Sequence, residues 1–359
     1  MADIGAALRA DYTPRETAAQ YEGGYMFKHF GYYLGPKTYK SDYSAQEWYS
    51  MMKEQLDNNR PILYNAQIED GSAAHSFIID GYTDNDDFCI NWGWAGSCDG
   101  VYALDAMIPY DNPYYTFTGS QCAYFDFKSA SGLPVVAQVN DSIECPSLEA
   151  AVAMVPTDGI PAKITMLDNC DIEELYTRNN QSIVLDLNGC KIGVVNYGIY
   201  NYGDLIIADS KINGCMVFKK GTSAILNNYG NLTVYGGQFV NQTGNADDEN
   251  YYRRCIWTQS GSSNSIKGGN FKSFSSAICT NGSLTIDGGE FDCNGNDAVI
   301  TNYNVQDTVT INGGNFNNLS YAADGSNYHR TVWSCEGSVT HITGGVFTET
   351  ENVHTSLGC

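Results

Sequence analysis

Two residues have the types and surroundings for proton-transfer chemistry. His75 stands in Ala73-Ala74-His75-Ser76-Phe77-Ile78-Ile79-Asp80-Gly81-Tyr82, and Asn91 in Cys89-Ile90-Asn91-Trp92-Gly93-Trp94. An imidazole beside a side-chain amide, roofed by two indoles, is held in one tautomer and suited to acid–base work. The elements that must position this pair are also legible. The apolar runs Phe77–Ile79 and Phe88–Ile90 bracket the turn-rich Thr83-Asp84-Asn85-Asp86-Asp87, which reads as a β-hairpin. His75 begins the first strand and Asn91 ends the second, so antiparallel pairing predicts both at one end, within hydrogen-bond reach. Trp92 is expected to shield that contact. A lone histidine on such a strand is ordinarily structural; the Asn-Trp-Gly-Trp block is what favours chemistry here. Asp80 reads as a turn residue, and His29, His329, His341 and His354 are scattered along the chain.

These two blocks, in this order and spacing, resemble the histidine half of the streptopain-like cysteine peptidases, which have a papain-like fold. Weaker similarity runs from Met1 to Phe127, through Ser44–Pro61 and Asp99–Ala106. The resemblance implies an α+β papain-like partial domain and a polypeptide substrate. It implies His75 as the catalytic imidazole, Asn91 as its orienting partner and Trp92 as its shield. One departure is Ala74, where the family usually has glycine; its methyl group would narrow the cleft or shift the backbone there. In the family the nucleophilic cysteine precedes the histidine, at a helix N-terminus that lowers its pKa. The first cysteine here is Cys89. The nucleophile is therefore expected outside this sequence, and this chain alone is expected to be inactive. Cys98 lies near the tryptophan pair but takes the place of an ordinary small residue, so it is not the expected nucleophile. The family is secreted. Met1–Gly5 has neither a basic start nor an apolar core, so Met1 is expected to fall inside the domain, with a signal peptide upstream.

The remaining composition narrows the function classes. A formal charge of −22 argues against nucleic-acid or anionic-membrane partners. No apolar run reaches transmembrane length. Twelve cysteines include no CxxC pair and no zinc-like spacing, so neither a structural metal nor a cofactor is expected. Their wide spacing fits buried thiols and disulfides alike.

Along the chain, residues 1–128 read as the peptidase half-domain. Its clearest helix is Ser44–Asn59, with a Ser44/Glu47 capping box and Trp48, Met51, Met52 and Leu56 on one face, stopped by Pro61. An earlier helix, over the second half of Glu16–Phe30, is expected to end at Gly31. Residues 129–145 read as a linker by composition. Residues 146–359 read as a second domain that opens with a short helix, Pro146–Val155, placed to cover the first rung of a solenoid. Gly-Gly-x-Phe then recurs at Gly236, Gly268, Gly288, Gly313 and Gly344, at intervals of 32, 20, 25 and 31 residues. One core unit with inserted loops explains that range, and the pattern resembles a right-handed parallel β-helix. Each glycine pair allows a corner, and Phe239, Phe271, Phe291, Phe316 and Phe347 are expected to stack inside. The last unit runs out at His354–Cys359 without a cap, which implies further cover beyond it.

The expectation is a secreted or cell-surface cysteine endopeptidase whose β-helix binds substrate, a glycan or a surface ligand, or serves as a stiff spacer. Two other classes stand beside it. One is a non-enzymatic β-helix adhesin or glycan-binding protein with a peptidase remnant. The other is a carbohydrate-active β-helix, for which Asp209, Asp247-Asp248-Glu249, Arg253-Arg254 and Asp287 are the candidate groups and the loops Asn245–Arg254 and Tyr321–Arg330 the candidate surface.

Overall fold

The structure is a computed structural model. It describes residues 11–12, 17–18, 23–111, 113–219, 224–241, 253–295, 297–306, 308–319 and 330–349. The chain divides into two compact units, Met1–Leu133 and Pro134–Cys359.

In the first unit, helix α1 (Gly23–Phe30) stops at Gly31, whose φ is +67° and whose N–H donates to the Phe27 carbonyl at 2.9 Å. Helix α2 (Ala45–Asp57) begins at the expected capping box: the Ser44 side chain accepts from the Glu47 N–H, and the Glu47 carboxylate accepts from the Ser44 N–H. Pro61 disfavours helix at Arg60, and the chain leaves through Asn59 at φ +55°. Six antiparallel strands, the first of them before α2, form one sheet: β1 (Lys37–Tyr39), β2 (Ile62–Gln67), β3 (Ala74–Tyr82), β4 (Phe88–Asn91), β5 (Gly100–Tyr102) and β6 (Gly119–Tyr124). Their order in the sheet is β1-β6-β2-β3-β4-β5. Alternation along β2 buries Ile62, Tyr64 and Ala66, and these pack with Trp48 and Met52 of α2 and with Phe77, Ile79, Phe88 and Ile90. A β-bulge interrupts the β2–β6 pairing: Ser120 and Gln121 together oppose Ala66, and Ser120 takes φ +43°.

The segment 129–145, expected as a linker, is structured over much of its length. Lys128–Ser129 pairs antiparallel with Tyr32–Tyr33. Ala137–Val139 pairs antiparallel with both Ile143–Cys145 and Pro161–Met166. Ser131-Gly132 and Pro134 set a loop-like composition, but Ala137-Gln138-Val139 alternates and buries its first and third residues.

The second unit is a parallel β-solenoid of about six turns over residues 161–318. Its coils contribute to a ten-stranded and a thirteen-stranded sheet. Helix α3 (Leu148–Met154), capped by Ser147, covers the first coils together with the 137–145 hairpin. Gln181 donates to the carbonyls of Val152 and Val155, meeting the open end of that helix. The phenylalanine column is in register, with ring centroids 4.8, 4.9, 4.8 and 4.8 Å apart. That is the spacing between neighbouring strands, so each ring covers the one before it. The first four rings are fully buried, and Phe347, at the last described coil, is half-buried. Except at Gly236, where a Cβ would have room, the two glycines of each pair have different jobs. The second takes φ between +96° and +119° at Gly237, Gly269, Gly289, Gly314 and Gly345. At the first, a Cβ would fall 2.5 Å from the Asp287 carbonyl at Gly313 and 2.3 Å from the Asn312 carbonyl at Gly344. A buried polar column complements the rings. Thr177 donates to Asn201, Asn201 to Asn228, and Asn228 to Asn264, at 2.5, 2.6 and 2.7 Å. Every described cysteine is a free thiol.

Candidate active site

The hairpin forms as expected, with the Thr83 N–H donating to the Asp87 carbonyl at 2.8 Å across the turn. Its register decides what faces His75. Ile79 pairs with Ile90 and Ile78 with Asn91. Continued outward, that register sets Trp92 against Phe77 and Trp94 against His75. Side chains alternate between faces along a strand. His75, Phe77, Trp92 and Trp94 therefore share one face, while Asn91 lies on the other with the exposed Ile78. The rings agree: His75 stacks on Trp94 at 4.7 Å and lies 6.0 Å from Trp92, and Phe77 is 4.7 Å from Trp92.

The expected side-chain contact between His75 and Asn91 is thus replaced by a backbone one. His75 Nε2–H donates to the carbonyl of Trp92 at 2.8 Å. A carbonyl only accepts, so the neutral ring carries its proton on Nε2 and keeps the Nδ1 lone pair. The peptide that accepts this proton is itself held. The Gly93 N–H, on the same peptide, donates to Asn91 Oδ1 at 2.9 Å. The Trp92 N–H donates to Asp99 Oδ1 at 2.9 Å. Asn91 therefore reaches His75 through one peptide group, and a polarised amide is a stronger acceptor than an isolated one. Gly93 at φ +76° lets the chain turn directly behind this carbonyl.

Trp92 is fully buried, and its indole meets the rings of Tyr102 and Phe117. Phe117 also lies 5.9 Å from His75. Farther out, Tyr110 stacks on Trp94 at 5.7 Å, and its hydroxyl lies 3.2 Å from that of Ser97. These rings shield part of the half-buried imidazole from water, and burial lowers the His75 pKa below its usual value. The Trp92 carbonyl, which favours the protonated ring, offsets part of that shift. The result is a neutral base whose Nδ1 makes no hydrogen bond among the described residues. Cys98 is half-buried at φ +64°, its carbonyl taken by the Tyr102 hydroxyl and its sulfur 4.0 Å from the Ser97 oxygen. Among the described residues it makes no hydrogen bond to His75. In sequence the aromatic-rich loop Tyr110–Phe117, which follows the hairpin, reads as an edge of the cleft, and its two end residues do meet the ring cluster. Asp99 was not singled out as a site residue, although the Asp-Gly pair before β5 carries a turn signal that would have drawn attention to it.

The solenoid candidates do not gather. Asp209 accepts from the N–H groups of Gly189 and Gly214 and so holds a turn. Asp287 pairs with Lys267 and accepts from Asn312 Nδ2, which keeps its carboxyl acidic. Pairing through Tyr235 and Lys267 places these two carboxylates three coils apart, roughly 14 Å at one strand spacing per coil, beyond the separation of a glycosidase pair. Arg253 and Arg254 are buried, with Arg254 over the Trp257 ring at 5.1 Å. Asp247, Asp248, Glu249 and most of both candidate loops lie outside the described residues. Among the described residues no group of three His, Cys, Asp or Glu side chains is placed to hold a metal. No helix among them is long and apolar enough to cross a membrane.

Comparison with known proteins places the first unit. A profile of the Peptidase C10 family matches residues 1–102. Streptopain of Streptococcus pyogenes serotype M28 (strain MGAS6180) is 34% identical over 112 residues, which is 30% of this chain and 28% of that protein. The thiol protease/hemagglutinin PrtT of Porphyromonas gingivalis is 38% identical over 65 residues, 18% of this chain and 7% of that protein. Among solved structures, active wild-type interpain A cysteine protease of Prevotella intermedia is 26% identical. It matches with a TM-score of 0.30 over 34% of this chain and 52% of that one. The match to streptopain thus spans about 28% of that protein's length. The chain combines a cysteine-peptidase-like first unit with a parallel β-solenoid.

Proposed function

We propose that this chain carries the histidine half of a cysteine endopeptidase site, and that the thiol it serves comes from a segment outside residues 1–359. The observation that carries this reading is the His75–Trp92 hydrogen bond, which commits Nε2 and leaves Nδ1 as the base. Nδ1 takes the proton of the thiol, and the thiolate attacks the carbonyl carbon of the substrate peptide. The imidazolium then returns that proton to the leaving amine as the C–N bond breaks. Water, deprotonated by the same nitrogen, hydrolyses the thioester. Asn91 and Asp99 hold the Trp92 carbonyl in place. The Peptidase C10 match and PrtT, by its name a thiol protease, support the class of reaction, and secretion is part of the same proposal.

The test has two arms. The chain as given should neither hydrolyse peptides nor take up a thiol-directed peptidase label stoichiometrically. Stoichiometric label on Cys98 that disappears in His75→Ala would overturn this and make Cys98 the nucleophile. In the second arm, a Cys-bearing upstream half from a streptopain-like relative is supplied. His75→Ala should then abolish turnover, Asn91→Ala should lower kcat less, and Asn91→Asp, which keeps the acceptor for Gly93, should retain most of it. Full activity without His75 ends the reading.

For the solenoid we propose a display surface for a polypeptide substrate or a glycan, since its core is spent on stacking and its loops are polar and tyrosine-rich. Immobilised polypeptides and polysaccharides, each probed with the full chain, test this. Retention of neither class would leave the solenoid as a spacer.

A further inference from the structure

One buried side chain outside the hairpin has every hydrogen-bonding position occupied. Gln121 is 7% exposed. Its Nε2 donates to the carbonyl of Leu104 at 2.9 Å and to that of Thr118 at 3.0 Å. Its Oε1 accepts from the Tyr64 hydroxyl at 2.6 Å and from Lys40 Nζ at 3.1 Å. An ammonium has no acceptor and a carbonyl no donor, so these partners allow only one orientation of the amide. Tyr64, buried, accepts in turn from Trp48 Nε1, which ties the network to α2. The Ser120–Gln121 bulge in β6 is what interrupts the strand's alternation here, at a φ that costs Ser120 some strain.

The two carbonyls belong to separate limbs of the chain between β5 and β6. One limb leads from Leu104 through Met107 towards Tyr110, and the other returns through Phe117 to Thr118. The limbs meet where the Phe117 N–H donates to the Met107 carbonyl at 3.0 Å, and both Met107 and Phe117 are buried. Phe117 faces His75 and Trp92 at 5.9 and 5.5 Å.

We propose that Gln121 is a positioning residue: by tying the Leu104 and Thr118 carbonyls together it seats Phe117 against the imidazole and closes that side of the ring to water. This rests on reading His75 as the proton-transfer residue, but its test needs no turnover. Gln121→Glu is nearly isosteric. It keeps an acceptor for Lys40 and Tyr64, and it replaces the amide donor with an oxygen facing two carbonyls. Hydrogen exchange and His75 titration, both followed by NMR on the full chain, read the outcome. Amides of Ala106, Phe117 and Thr118 should exchange at least about tenfold faster in Gln121→Glu, while those of β2 to β4 keep their protection. The His75 midpoint should rise towards its ordinary value as water reaches the ring. Lys40→Met, which leaves both amide donors in place, should change neither quantity.

Unchanged exchange or an unchanged midpoint in folded Gln121→Glu overturns the proposal, as does an equal effect of Lys40→Met. The wild-type chain supplies a check that survives misfolding of the variant. There the Ala106, Phe117 and Thr118 amides should open together, at lower free energy than β2 to β4. Opening of Phe117 only with the whole unit would overturn the clasp. If the upstream half restored activity that did not need His75, the peptidase reading would fail and the exchange result would still stand.

Discussion

At the scale of single residues, the imidazole is defined by enclosure and by one backbone acceptor. Burial lowers the His75 pKa, so in the pH range just below its usual 6.5 the unfolded chain binds a proton that the folded chain does not. The His75 contribution to stability is then fully present above pH 6.5. It is lost progressively as pH falls from 6.5 through the lower folded value, and it is constant below that. Thermal melts from pH 8 to pH 5 should show this loss in the first unit. His75→Gln, which keeps a donor for the Trp92 carbonyl and cannot titrate, should reduce the slope; an unchanged slope would show that other groups control it. On the proposed reading of the site the same shift is useful, because a ring neutral near pH 7 is ready to accept a thiol proton, and a neighbouring thiolate would raise it again.

At the scale of elements, two repeats of backbone geometry do most of the positioning. In the hairpin, strand parity sends His75 to the face of Trp92 and Trp94 and sends Asn91 to the other, so the amide acts on the ring through a peptide. In the solenoid, glycine pairs set the corner before each phenylalanine. Phe291 is stacked on both sides, at 4.9 and 4.8 Å, and Phe291→Ala should cost about 3–5 kcal/mol in a denaturant titration of the second unit. Phe347, half-buried, should cost less. Gly289→Ala should cost about 1–3 kcal/mol or more, since φ +119° is open essentially to glycine alone and the new methyl would press on the Phe291 ring. If Gly289→Ala proved neutral, the corner geometry described for this coil would be wrong.

At the scale of the whole molecule, the two units draw stability from different sources. The first depends on a mixed core in which α2 packs on one sheet. The second depends on contacts between successive coils, each repeating the last. Calorimetry of the full chain should therefore resolve two transitions. Lowering the pH should move the one that contains His75, and Phe291→Ala should move only the other. A single transition shifted equally by both would show the units to be one cooperative block.

Much of this was written in local pattern. A Ser44/Glu47 box, Gly31, a turn of aspartates between apolar runs and five Gly-Gly-x-Phe units specify elements through short-range sterics and hydrogen bonds, so residue order alone determines them. The stack of phenylalanines follows as well, because a parallel repeat places equal positions one strand apart. The two strands of 137–145 were obscured by the glycine and prolines around them, and only the pairing of Ala137–Val139 with Pro161–Met166 joins them to the solenoid's sheet. The partner of His75 was not legible either. Placing His75 and Asn91 at one end of a hairpin is a matter of sequence; which face each occupies depends on register to the residue, and the acceptor is a carbonyl that every residue possesses. Gln121 was hidden for a related reason. It lies on the same face of β6 as the buried Ala123, and of its partners only Thr118, three residues away, is local; Lys40, Tyr64 and Leu104 are gathered by the sheet from distant parts of the chain.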